Sequence, residues 1–84
     1  MTIFTYILRC KDGSYYTGIT WNLEKRVLEH NSRVKSPLQN SKVPVELVFW
    51  EKFPDRITAA RREKEIKGWS RLKKEKLINS GKIE

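Results

Sequence analysis

A short turn, Lys11-Asp12-Gly13-Ser14, divides two runs rich in β-branched and aromatic residues, Ile3-Phe4-Thr5-Tyr6-Ile7 and Tyr15-Tyr16-Thr17-Gly18-Ile19-Thr20. Runs of that composition joined through Asp-Gly close into a β-hairpin. Gly13 accepts a positive φ without steric cost, and Asp12 can hydrogen-bond the backbone just beyond it. Register then decides what the hairpin displays. If the turn keeps an even pairing sum, Leu8 faces Tyr16 and Tyr6 faces Gly18, so Phe4, Tyr6, Tyr16 and Gly18 share one side. Two phenols then flank a notch at a residue without a side chain, as where a ligand or another backbone comes close. A two-residue loop at Asp12-Gly13 instead puts the tyrosines on opposite faces, and the residues alone leave both registers open.

The rest of the chain supplies the helices and one more strand. Asn22 can cap a helix from Leu23 to about His30, with Leu23 and Val27 as its apolar stripe and Arg26 and His30 as a second i,i+4 pair at the border of core and solvent. The segment from Asn31 to Lys42 is polar, contains Pro37 and carries Arg33, Lys35 and Lys42, so it reads as a basic loop. Val45 to Glu51 predicts a third strand with Val45, Leu47 and Phe49 on one side, Pro44 standing at its start. Asp55 and Gly68 bracket a helix over Arg56 to Lys67. Ser70 can cap a last one, Arg71 to Ile78, with Leu72 and Leu77 toward the core and Arg71, Lys73, Lys74 and Lys76 as a cationic face. The expected fold is α+β: a three-stranded antiparallel sheet with packed helices, in the order ββαβαα.

At 84 residues the chain is expected to form one domain, 1–84, and a monomer. Its formal net charge of +8 predicts a polyanionic partner, nucleic acid ahead of an acidic membrane surface, the plain alternative being a merely soluble basic surface. Cys10 and His30 are the only cysteine and histidine, so there is no internal disulfide and none of the common zinc constellations. A metal, if used, is then a hard cation held by carboxylates. No signal-like leader or bilayer-length apolar run is present, and a cytoplasmic location without membrane attachment is expected.

The pattern of Tyr6 with Tyr16-Thr17-Gly18, followed by Arg26-x-x-x-His30 and by Glu63 within Ala59-Ala60-Arg61-Arg62-Glu63, resembles the GIY-YIG nuclease superfamily. The resemblance is to its small single-domain bacterial branch and runs from Ile3 to Ile78. Phe4-Thr5 stands in place of the Gly-Ile of the first name, and Thr17 in place of the Ile of the second. It implies a metal-dependent endonuclease acting on phosphodiester bonds in DNA repair or processing, on DNA ahead of RNA. Tyr6, Tyr16, Arg26 and His30 would be its catalytic residues, Glu63 would hold a single Mg²⁺ or Mn²⁺, and Gly18, Arg33, Lys35, Lys42 and Lys73 would meet the substrate. The alternative is a nucleic-acid-binding module, or an accessory subunit of a repair complex, that keeps the fold without cutting.

Each of these residues also has a plainer fate. Glu63 lies in the apolar arc of its helix formed by Ala59, Ala60 and Ile66, where a carboxylate needs a partner, and Lys67 at i+4 is within reach. Strand tyrosines usually pack their rings in the core with the hydroxyl at the rim. A phenol titrates near pKa 10, so a Tyr6 base near neutrality needs a shift of about three units, or roughly 4 kcal/mol, more than one cation supplies.

Overall fold

The computed structural model describes residues 2–32 and 42–80, which form six elements. They are β1 (Ile3–Arg9), β2 (Tyr15–Thr20), α1 (Leu23–Ser32), β3 (Glu46–Phe53), α2 (Arg56–Lys67) and α3 (Arg71–Ser80). The fold is α+β, with one antiparallel sheet in the order β2-β1-β3. Arg33 and Lys35 lie outside the described residues.

The hairpin turn settles the register. Cys10 N–H donates to the Ser14 carbonyl at 2.8 Å and Gly13 N–H to the Cys10 carbonyl at 2.9 Å, leaving a three-residue loop that ends at Gly13 with φ of 87°. This loop keeps the even pairing sum, so Tyr6 pairs with Gly18 and Leu8 with Tyr16. Asp12 Oδ1 accepts from Ser14 N–H at 3.0 Å and from Ser14 Oγ–H at 2.6 Å, and Lys42 Nζ reaches Asp12 Oδ2 at 3.0 Å. The Ser14 hydroxyl and backbone N–H, and then Lys42, hold the Asp12 carboxyl far below the usual carboxylate range.

β1 is the central strand and is buried from Thr5 to Leu8. On one face Tyr6, Leu8, Cys10, Val43 and Val45 pack with Leu23 and Val27 of α1. On the other, Ile7, Phe49 and Ile66 pack with Trp69, Leu77 and Ile78. The sheet thus lies between α1 and the α2–α3 pair.

One sequence expectation is corrected here. Val45, Leu47 and Phe49 do not share a side: the ladder runs Ile7 to Phe49 and then Leu8 to Leu47, so Val48 is an extra residue on β3. That bulge flips the alternation, sending Leu47 toward α1 and Phe49 toward α2. Leu72, expected in the core, is 62% exposed, and Leu77 and Ile78 pack in its place.

Two contacts place α2, one starting the helix and one tying it to the sheet. Asp55 caps it through Thr58 N–H at 2.8 Å, and the Thr5 hydroxyl donates to the Ala59 carbonyl at 2.8 Å. Thr17, on the same face as Thr5, has no such outlet. Its Oγ1 is buried without a hydrogen-bond partner among the described residues. Because an unsatisfied buried hydroxyl is costly, Thr17→Val is expected to stabilise the fold by about 1 kcal/mol. A thermal melt should then shift upward by roughly 4–8 °C. An unchanged or lower midpoint would mean that this hydroxyl finds a partner. Among the described residues no helix is long and apolar enough to cross a membrane.

Candidate active site

On the α1 face of the sheet four of the expected residues meet. α1 begins where Asn22 Oδ1 accepts from Lys25 N–H at 3.0 Å, and one turn later it presents Arg26 and His30 to the hairpin. Arg26 Nε donates to the Tyr6 hydroxyl at 3.4 Å, and that hydroxyl lies 3.3 Å from His30 Nε2. The Tyr16 ring stacks edge-on against His30, centroids 5.2 Å apart, and lies 6.4 Å from the Tyr6 ring. Gly18 makes the arrangement possible. A Cβ there would lie 2.6 Å from the Tyr6 hydroxyl oxygen, so the notch is filled by the phenol of its own cross-strand partner.

The donor and acceptor rules constrain the protons of these residues. A guanidinium only donates, so the Tyr6 oxygen accepts from Arg26, and its own proton is free to be given to His30 Nε2 at 3.3 Å when that nitrogen is the acceptor. In that arrangement a neutral imidazole carries its proton on Nδ1. Electrostatics favour the neutral form of both groups. Burial, and next the Arg26 charge, push the His30 pKa below 6.5, with Glu29 partly opposing. Burial pushes the Tyr6 phenol above 10.0; the Arg26 hydrogen bond opposes this, and Tyr16 and Glu63 add to it. The bond to Tyr6 is the main reason that Arg26 holds its proton more firmly. At rest, therefore, Tyr6 is a neutral phenol wedged between a fixed cation and a neutral base.

Glu63 is less closely engaged. It stands on α2, and its Oε2 pairs with Lys67 Nζ at 3.2 Å. Its charge still reaches the Tyr6 phenol. Among the described residues no three His, Cys, Asp or Glu side chains gather as a ready metal cage. A lone carboxylate nevertheless fits a hard cation such as Mg²⁺, which is usually held by one or two carboxylates together with substrate phosphate and retained waters.

A model of the GIY-YIG catalytic domain family matches residues 2–76. The chain belongs to the GIY-YIG family. A UPF0213 protein of Staphylococcus saprophyticus is 45% identical over 78 residues, 93% of this chain and 95% of that protein. One of Natronomonas pharaonis is 44% identical over 75 residues, 89% and 88% of the two chains. The solution NMR structure of the UPF0213 protein from Bacillus halodurans shares 40% identity with a TM-score of 0.61, covering 94% of this chain and 84% of that one. A solution structure of an E. faecalis protein shares 34% identity with a TM-score of 0.65, covering 95% and 85%.

Within the GIY-YIG domain, two other expected contacts lie elsewhere. Lys42 is spent on the hairpin turn, where its Nζ bonds Asp12 and, at 3.0 Å, Ser14 Oγ. Lys73 sits over the Trp69 ring, 4.3 Å from its centroid, with the α2–α3 layer. Two supporting residues escaped the sequence reading. Glu29 Oε1 lies 3.3 Å from Arg26 Nη1, steadying the guanidinium from its own helix. Asn31 accepts from Val45 N–H at 2.6 Å and donates to the Val45 carbonyl at 3.3 Å, fastening the end of α1 beside His30 to the start of β3. The i,i+3 spacing could have revealed Glu29, whereas Asn31 carries no local signal.

Proposed function

We propose that this chain is a metal-dependent nuclease that hydrolyses phosphodiester bonds in nucleic acid, DNA before RNA, in repair or processing. The observation that carries the reading is the hydrogen-bonded chain from Arg26 through Tyr6 to His30. As water attacks phosphorus, the Tyr6 oxygen takes its proton while the phenolic proton passes to His30 Nε2, so that no free phenolate has to be stored near neutral pH. Among the described residues Arg26 uses two of its five N–H donors, on Tyr6 and Glu29, and the others are available for the charge that grows on the phosphate. Tyr16, against His30, orients a non-bridging oxygen. Glu63 would hold the Mg²⁺ or Mn²⁺, leaving Lys67 to do so. When bound, the ion supplies Lewis-acid stabilisation of the phosphate and the leaving oxygen.

The Glu63–Lys67 pair favours a second reading, a binding module that keeps the fold without cutting. Cleavage of linear, flapped and branched DNA and RNA in Mg²⁺ or Mn²⁺, against a chelator control, separates the two. For a nuclease, cutting requires the ion, and Glu63→Gln needs about tenfold more Mg²⁺ for half-maximal rate. Wild type that binds these substrates yet cuts no faster than a Tyr6→Phe, Arg26→Ala, Glu63→Gln triple variant would make the binding module the better account.

A further inference from the structure

Beside Arg26 the surface opens into a cleft of about 300 Å³ between the start of α1 and the start of α2. Thr20, Trp21, Asn22, Lys25, Arg26 and Arg56 are among its lining residues. Arg26 both bonds Tyr6 and lines this cleft, so the cleft adjoins the position of a phosphate held by Arg26.

We propose that the cleft takes an unpaired nucleotide next to the scissile phosphate, its base stacked on the Trp21 indole and its flanking phosphates met by Lys25 and Arg56. The proposal rests on the nucleic-acid reading above and narrows it to substrates with a single-stranded segment. Trp21 is 55% exposed, a costly position for an indole, whereas Trp50 packs on Phe4 and Trp69 joins the core. It is also held firmly. Asn22 N–H donates to Thr20 Oγ1 at 3.2 Å, the Thr20 hydroxyl donates to the Asn22 carbonyl at 3.3 Å, and Asn22 caps α1, so both neighbours of Trp21 are pinned. A platform fixed in this way loses little freedom when a base settles on it.

Charge points to the same occupant. Among the described residues the cleft carries three cations, and the one carboxylate, Glu29, is already committed to Arg26. Lys25 Nζ lies 5.8 Å from the Trp21 centroid, near the outer limit of a cation–π contact, and so remains able to turn to a phosphate. A volume at the small end of ligand sites suits one nucleoside. In a duplex each base is already covered on both faces, so only an unpaired base offers a face to the indole.

Binding measured in chelator, where nothing is cut, tests this apart from catalysis. Short DNA and RNA strands carrying 2-aminopurine would be titrated beside a blunt duplex, with thermal melts confirming that every variant is folded. Wild type and Trp21→Phe should quench the 2-aminopurine on binding. Trp21→Ala should lose the quench and about tenfold in single-strand affinity, with duplex affinity retained. Lys25→Ala and Arg56→Ala should each make the salt dependence shallower by about one in slope. The DNA and RNA arms say which strand the cleft takes. Trp21→Ala that quenches and binds single strands like wild type would overturn the stacking site while leaving the nuclease reading intact. Trp21-dependent binding without metal-dependent cleavage would keep this site and sink the nuclease reading alone. No binding to either form would overturn both.

Discussion

Replacing Tyr6 by phenylalanine is expected to lower metal-dependent cleavage by about two orders of magnitude or more while nucleic-acid affinity changes much less. The ring is 1% exposed and keeps its packing against Tyr16 and His30, so what leaves is one oxygen, the atom that bridges Arg26 and His30. The loss of stability should be about 1 kcal/mol, from the hydrogen bonds given up. The pH profile adds a check on direction. On the proposed path His30 has to be neutral to receive the proton, and its pKa lies below 6.5, so cleavage should be at full rate near neutrality and fall on acidification through the folded-state pKa. Stability follows the same sign. A histidine with a lowered folded pKa binds fewer protons in the native state, so its contribution is present above 6.5 and is lost as pH falls through the folded value. His30→Gln should remove the acid limb attributed to this group. A Tyr6→Phe protein that cuts within a few-fold of wild type would assign the phenol to packing alone.

The hairpin was legible because its turn is chemical: Asp12 binds Ser14, Gly13 takes the positive φ, and the three-residue loop selects the register that brings Tyr6 and Tyr16 together. α2 was legible to the residue, Arg56–Lys67, because Asp55 caps it and Gly68 ends it. The bulge at Val48 was hidden, since Leu47-Val48-Phe49 is apolar throughout and one extra apolar residue leaves no trace in an alternation count. Leu72 misled for a related reason: on a short helix covered from one side, Leu77 and Ile78 suffice to fill the contact. In the site, the Arg26-x-x-x-His30 spacing predicted that both side chains point the same way, and the structure adds what they point at. Lys42 and Asp12 meet only through folding, thirty positions apart, so that nothing local marks that lysine as occupied. Glu63 with Lys67 was the opposite case, an i,i+4 pair visible in the helix itself.

Gly18→Ala adds a single methyl group and changes no polar atom, yet it is expected to cost as much activity as Tyr6→Phe, about a hundredfold. Backbone strain is not the reason, because among the described glycines it is Gly13 that has a positive φ, and a Cβ there would meet nothing within 4 Å. At Gly18 the new Cβ would stand 2.6 Å from the Tyr6 oxygen and 2.8 Å from Cζ, closer than real Cβ atoms approach anything. Cross-strand pairing fixes the two backbones, so the ring has to yield, and Tyr16 and His30 already flank it. Any tilt lengthens the 3.3 and 3.4 Å contacts to His30 and Arg26, which are near their useful limit as they stand. Overpacking of this kind should also lower stability by about 1–3 kcal/mol. Tyr6→Leu removes the ring, so in that background Gly18→Ala should destabilise far less, a coupling that a double-mutant cycle reads directly. Cleavage in the Gly18→Ala, Tyr6→Phe double variant should be no lower than in either single variant, because both changes disable the same hydrogen-bonded chain. Gly18→Ala that cuts and melts like wild type would mean that the Tyr6 ring does not lie over Gly18, and the proton path drawn through its hydroxyl would go with it.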